Sequence, residues 1–138
     1  MGEMIWHHLP LFLARGTAMV DILDAYKETA ITTMDRGKLV VMLYEGAIRF
    51  LRMAMEQIDA KDYIAKGRYI GRAQDIIWEL NSVLNMELGG QIAQNLRSLY
   101  LYMNRRLNQA NIKADKQIIQ EVISLLEILH QGWKAIAE

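Results

Sequence analysis

Residues 40–51 read VVMLYEGAIRFL. Wound at about 100° per residue, they belong to a helix running from about Asp35, a candidate N-cap, to Ile58. Its polar residues Glu45, Arg49, Arg52, Glu56 and Asp59 crowd into about 80° of the circumference, with Gln57 the main intruder elsewhere, which leaves roughly 240° apolar. One half of that arc carries Leu39, Met42, Leu43, Gly46, Phe50, Met53 and Ala54; the other carries Val40, Val41, Tyr44, Ile48, Leu51 and Met55. A peripheral helix of a four-helix bundle needs only about 100–140° for its core. The second half must therefore meet something else. Three coverings fit: the N-terminal part of the chain packed over a fully central helix, a second copy at a dimer seam, or another protein's helix lying in a groove. Left bare, so large a strip would invite aggregation. Nine methionines suit an adaptable groove, although core filling explains most of them.

The rest of the chain is also helical in pattern. No segment alternates with period two for long, and no hairpin-type turn separates β-branched runs. A second helix is expected from about Asp62 to Met86, ended by Gly89-Gly90. A third should run from Gln91 to Ala110. A fourth follows the turn NIKAD, with Asp115 as N-cap, and continues to about Ala135. Each has an ordinary apolar arc: Ile70, Ala73, Ile76, Ile77, Leu80, Val83 and Leu84 in the second, Leu96, Tyr100, Met103 and Leu107 in the third, Ile119, Val122, Leu126 and Trp133 in the fourth. Short connections between long helices predict antiparallel neighbours. The fold class expected is all-α: an up-down bundle of four main helices, with a short N-terminal helix or strap. Residues 1–23 read as an N-terminal extension and 24–138 as the bundle domain. The opening MGEMIWHHLPLFLARGTA holds the only proline and lacks the basic lead of a signal peptide. Met19 is itself a candidate start.

Composition removes several function classes. Lys+Arg and Asp+Glu both number 16, so the formal charge is zero, a poor match to phosphate-dominated binding of nucleic acid or an anionic membrane surface. With no cysteine, disulfides and thiolate metal sites are excluded. Glu127 and His130 have the spacing of a di-iron carboxylate motif, but it occurs once where two are required. Asp75 and Glu79, with Arg68 and Arg72 beside them, read as a surface ion-pair face. No glycine-rich phosphate loop follows a strand, and no serine has a histidine at suitable spacing. Neither an enzyme nor a cofactor is expected.

KLVVMLYEGAIRFL (38–51), AQDIIWELNSVLNMELGGQIAQNL (73–96) and LYLYMNRRLNQANIKAD (99–115), preceded by AYKE (25–28), resemble the FliS family, the cytoplasmic chaperones of flagellin export. The likeness spans roughly residues 24–136. It implies an antiparallel bundle that binds the disordered C-terminal region of flagellin, prevents premature polymerisation and serves the flagellar type III export apparatus. It also offers an occupant for the wide arc, an amphipathic cargo helix. The partner-binding residues it implies are Tyr26, Ile31, Val40, Tyr44, Ile48, Leu51, Met55, Ile77, Leu80 and Leu84. Tyr26 and Ile31 would fold back over the surface until cargo displaces them. When free, the protein is expected as a monomer or weak homodimer in the cytoplasm. A self-associating bundle with the arc as its seam is the alternative. The chain departs from the family pattern in the opening of helix one, Met34-Asp35-Arg36-Gly37-Lys38, in Glu45 where aspartate is commoner, and in Trp78 and Leu101, which both fall outside the core arcs of their helices.

Overall fold

A computed structural model describes residues 33–137 of the chain apart from Val83 and Asn85; the expected N-terminal extension and strap, with Tyr26 and Ile31, lie outside the described residues. Four helices follow one another: α1 Thr33–Asp59, α2 Tyr63–Ser82, α3 Met86–Lys113 and α4 Lys116–Ala137. α1 packs against α2 and α4, and α3 against the same two, so α1 and α3 stand on one diagonal of the bundle and α2 and α4 on the other. This is the all-α up-down bundle that the periodicity predicts.

The boundaries show why each helix stops. After α1, Lys61 takes a left-handed φ of 60°, its N–H reaches Ile58 O at 3.0 Å, and Asp62 N–H reaches Gln57 O at 2.9 Å. That pair of bonds caps the last carbonyls in a Schellman arrangement. Asp62 then starts α2 by accepting Ala65 N–H on its carboxylate at 3.0 Å. The α3–α4 corner repeats the device: Ala114 sits at φ 50°, and Asp115 N–H reaches Ala110 O at 3.1 Å. Asp115 Oδ1 then accepts Gln117 N–H at 2.9 Å, as an N-cap should. Both left-handed positions carry a Cβ that the conformation penalises. Lys61→Gly and Ala114→Gly are each expected to raise the unfolding free energy by about 0.5–1 kcal/mol in urea denaturation.

Two boundaries differ from the expectation. Asp35 lies inside the first turn of α1 rather than ahead of it, a position that still favours an acidic residue beside the helix N-terminus. Gly89-Gly90 do not end α2; they fall within the start of α3, where Gly90 (φ 55°, ψ −134°) kinks it. A glycine pair in sequence marks a break in helical conformation but not which helix owns it.

The centre of the bundle decides the question raised by residues 40–51. Leu39, Leu43, Ala47 and Ala54 from one half of the α1 arc are buried, and so are Val40, Tyr44, Ile48 and Leu51 from the other, with Tyr44 and Leu51 at 0 % exposure. Most of the arc is covered within one chain, with Met42, Phe50, Met53 and Met55 half-buried at its margins. Tyr44 hydrogen-bonds the hydroxyl of Tyr100 across the α1–α3 diagonal, and the Trp133 indole of α4 also bonds Tyr44. Burial pushes both phenols well above the ordinary tyrosine range; in Tyr100 the proximity of Tyr44 adds to it, whereas in Tyr44 the bonds from Tyr100 and Trp133 oppose it.

Candidate functional site

Of the ten residues implied as partner contacts, eight lie among the described residues. Val40, Tyr44, Leu51, Ile77 and Leu80 are wholly enclosed, Ile48 and Leu84 keep only a sliver of surface, and Met55 is half-buried against the core. An open apolar groove along α1, the geometry expected from the arc, is therefore not what the side chains form. The reason is packing: α1 lies much closer against α2 and α4 than α3 does, and both sides of its arc are enclosed.

Two openings are walled by described residues. One, of about 430 Å³, lies between α1 and α4 and is walled by charge: Glu45, Arg49, Arg52, Glu127 and His130, with Ile48 at its floor. Here His130 Nε2 meets Glu45 Oε2 at 3.0 Å, and the Arg52 guanidinium donates to Glu127 at 3.1 Å. The Glu-x-x-His spacing thus serves two inter-helix pairs, and no group of acidic or histidine residues among the described residues is arranged to hold a metal. Pairs this exposed contribute little stability.

The other opening, of about 290 Å³, lies between α2 and α3. Trp78 and Leu101, which depart from the family pattern, both line it, Trp78 with 47 % of its surface exposed. Gly71 also lines it, with nothing within 4 Å of where a Cβ would stand, whereas a Cβ at Gly67, one turn earlier, would meet Asn111 of α3 at 3.6 Å. Asn104 closes the groove floor. Its carboxamide is 3 % exposed, and neither Nδ2 nor Oδ1 has a hydrogen-bond partner. Nearby Gln74 donates instead to the Asn104 main-chain carbonyl at 3.2 Å and to Asn108 Oδ1 at 2.7 Å. The signal for Asn104 was present in the sequence: it sits four residues after Tyr100 and three before Leu107, on the core side of α3.

The expected ion-pair face on α2 is also reorganised. Asp75 is exposed, but Glu79 is fully buried. Arg72 lies over the stacked rings of Phe50 and Tyr69, at 5.7 and 5.9 Å from their centroids, a cation–π contact rather than a carboxylate pair. Lys66, another buried charge, donates to Asn111 O and Oδ1 at 2.7 Å each, tying α2 to the last turn of α3. Glu121 accepts from Arg106 at 2.7 Å and from Tyr102 at 2.8 Å, and these two bonds hold its carboxyl below the usual range. No helix among the described residues is long and apolar enough to cross a membrane.

Comparison with known proteins finds relatives over most of the chain. The family model "Flagellar protein FliS" matches residues 19–138. The flagellar secretion chaperone FliS of Salmonella typhimurium is 40% identical over 111 residues, covering 80% of this chain and 82% of its own. That of Bacillus subtilis is 36% identical over 110 residues, covering 80% and 81%. That of Vibrio cholerae is 36% identical over 118 residues, covering 83% and 87%. These relatives are named as chaperones, not as enzymes. On a family match that reaches from residue 19 to the last residue, the chain belongs to the FliS family of flagellar proteins.

Proposed function

We propose that this chain is a cytoplasmic export chaperone that binds the disordered C-terminal region of flagellin, keeps it from polymerising early and presents it to the flagellar type III export apparatus. One observation carries the reading: a likeness over most of the chain to proteins named flagellar secretion chaperones. The physics suits the task. A segment that orders on binding spends part of its contact energy on that ordering, which keeps the complex reversible and lets cargo leave.

Burial divides the partner-binding residues into two roles. Met55, with Ile48 and Leu84 at their exposed edges, can touch cargo directly. Val40, Tyr44, Leu51, Ile77 and Leu80 hold the helices that present those edges. Tyr26 and Ile31 keep the role of a displaceable cover.

Isothermal calorimetry with a synthetic C-terminal segment of the flagellin encoded in the same genome is expected to give a one-to-one complex. Its heat capacity change should be negative, as apolar burial requires. No heat and no co-elution at high micromolar concentration would sink the assignment.

A further inference from the structure

The outer face of the α2–α3 pair carries apolar surface that the four helices leave uncovered. The Trp78 indole stands half in solvent, Leu101 is half-buried on the facing helix, and the space above Gly71 is open. An indole beside an aliphatic side chain gains by being covered. The chain carries a segment of matching chemistry. Residues 4–14, MIWHHLPLFLA, contain no Asp, Glu, Lys or Arg, and they lie outside the family match, which begins at residue 19. Glu3 precedes this run and Arg15 follows it, opposite in sign to the Arg105 and Asp75 that stand on the two walls of the opening.

We propose that residues 9–13, LPLFL, dock on this face of their own chain, laying their apolar side chains over Trp78 and Leu101 with Arg15 beside Asp75. Reach permits it. Residues 14–32 separate the segment from Thr33, where α1 begins, and at about 3.3 Å per residue they span up to about 60 Å. The 27 residues of α1 are only about 40 Å long, and Trp78 sits one turn from Ser82, at the end of the bundle where α1 starts. Tethering selects this occupant over a free one, because a linked segment is present at about millimolar effective concentration. Pro10 suits a strand crossing helices: it biases Leu9 to extended backbone and brings no N–H that would need a partner. The proposal does not rest on the chaperone reading. It also differs from the cover assigned to Tyr26 and Ile31, which fall within the family match.

The test uses the full chain in a Trp6→Phe background. Trp133 is buried, so acrylamide quenching of the remaining indole fluorescence reads Trp78. Leu11→Asp together with Phe12→Asp should raise the quenching constant about twofold and lower the melting temperature by about 3 °C. With Trp78→Ala in place, the same two substitutions should leave the melting temperature where it is, since changes that act through one contact are not additive. Quenching and melting both indifferent to Leu11→Asp and Phe12→Asp would overturn the proposal. An equal fall in melting temperature with and without Trp78 would place the segment elsewhere and overturn it too. Protection of Trp78 that grows with protein concentration would make a second copy the occupant, again overturning it.

Discussion

Tyr44→Ala lowers the unfolding free energy by roughly 3–5 kcal/mol, the range for truncating a large buried ring. The expectation follows from the position of Tyr44 at 0 % exposure, bonded to Tyr100 and Trp133 across the bundle axis. Removing the ring opens a cavity lined by α1, α3 and α4 and leaves the Tyr100 hydroxyl and the Trp133 indole short of a partner. Tyr44→Phe isolates the polar part: the cavity is avoided, and the cost falls to about 1–3 kcal/mol for buried groups left unsatisfied. Met55→Ala is the comparison, since its half-buried side chain should cost less than either Leu51→Ala or Tyr44→Ala. Urea denaturation with a common m-value measures all four. If Tyr44→Ala unfolds like wild type and loses only cargo binding, its place in the centre of the core is wrong. The magnitude matters because a small domain has about 5–15 kcal/mol to lose. Leu51→Asp, which on the groove reading would separate binding from folding, becomes a folding lesion once Leu51 is enclosed.

Much of this architecture was legible in the sequence, for reasons that particular residues make plain. Asp62 and Asp115 announce helix starts because a short carboxylate reaches free N–H groups only there, and both do so in the structure. The arcs of α2, α3 and α4 follow from a period that packing cannot alter. The site was less legible. A helical wheel gives the angular width of an apolar face but not how closely neighbouring helices press on it, so the arc of α1 could not distinguish a groove from tighter packing. The same blindness placed Glu79 on a polar surface when it is buried, and left Asn104 unremarked in an apolar arc. Trp78 and Leu101 did stand out as departures from the family pattern. Only the α2–α3 pairing brings them to one groove with Asn104 and Gly71.

Alkaline pH should unfold this protein through the same tyrosine pair. The neutral phenols of Tyr44 and Tyr100 are favoured by burial, so both titrate at higher pH in the folded chain than in the unfolded one. Below the unfolded tyrosine value of about 10, both states hold these protons and the stability gained by burying neutral phenols is whole. Above it the unfolded chain releases protons that the folded chain retains, and each pH unit costs about 1.4 kcal/mol per tyrosine. Two such groups give a slope near 2.7 kcal/mol per pH unit, steep enough to exhaust a typical domain within a few units. Tyr102 provides an internal contrast: its hydrogen bond to Glu121 raises its titration too, but it is only half-buried at the bundle surface and should ionise without unfolding the bundle. Tyrosinate absorbance near 295 nm and helical circular dichroism, followed together from about pH 9 upward, are expected to separate an early phase of exposed tyrosines from a late one in which ionisation and loss of helix coincide. Tyr100→Phe lowers stability at neutral pH by removing a partner of Tyr44, yet it halves the alkaline slope because one retained proton is gone. A slope unchanged by Tyr100→Phe would mean that the pair is not what ties folding to proton release.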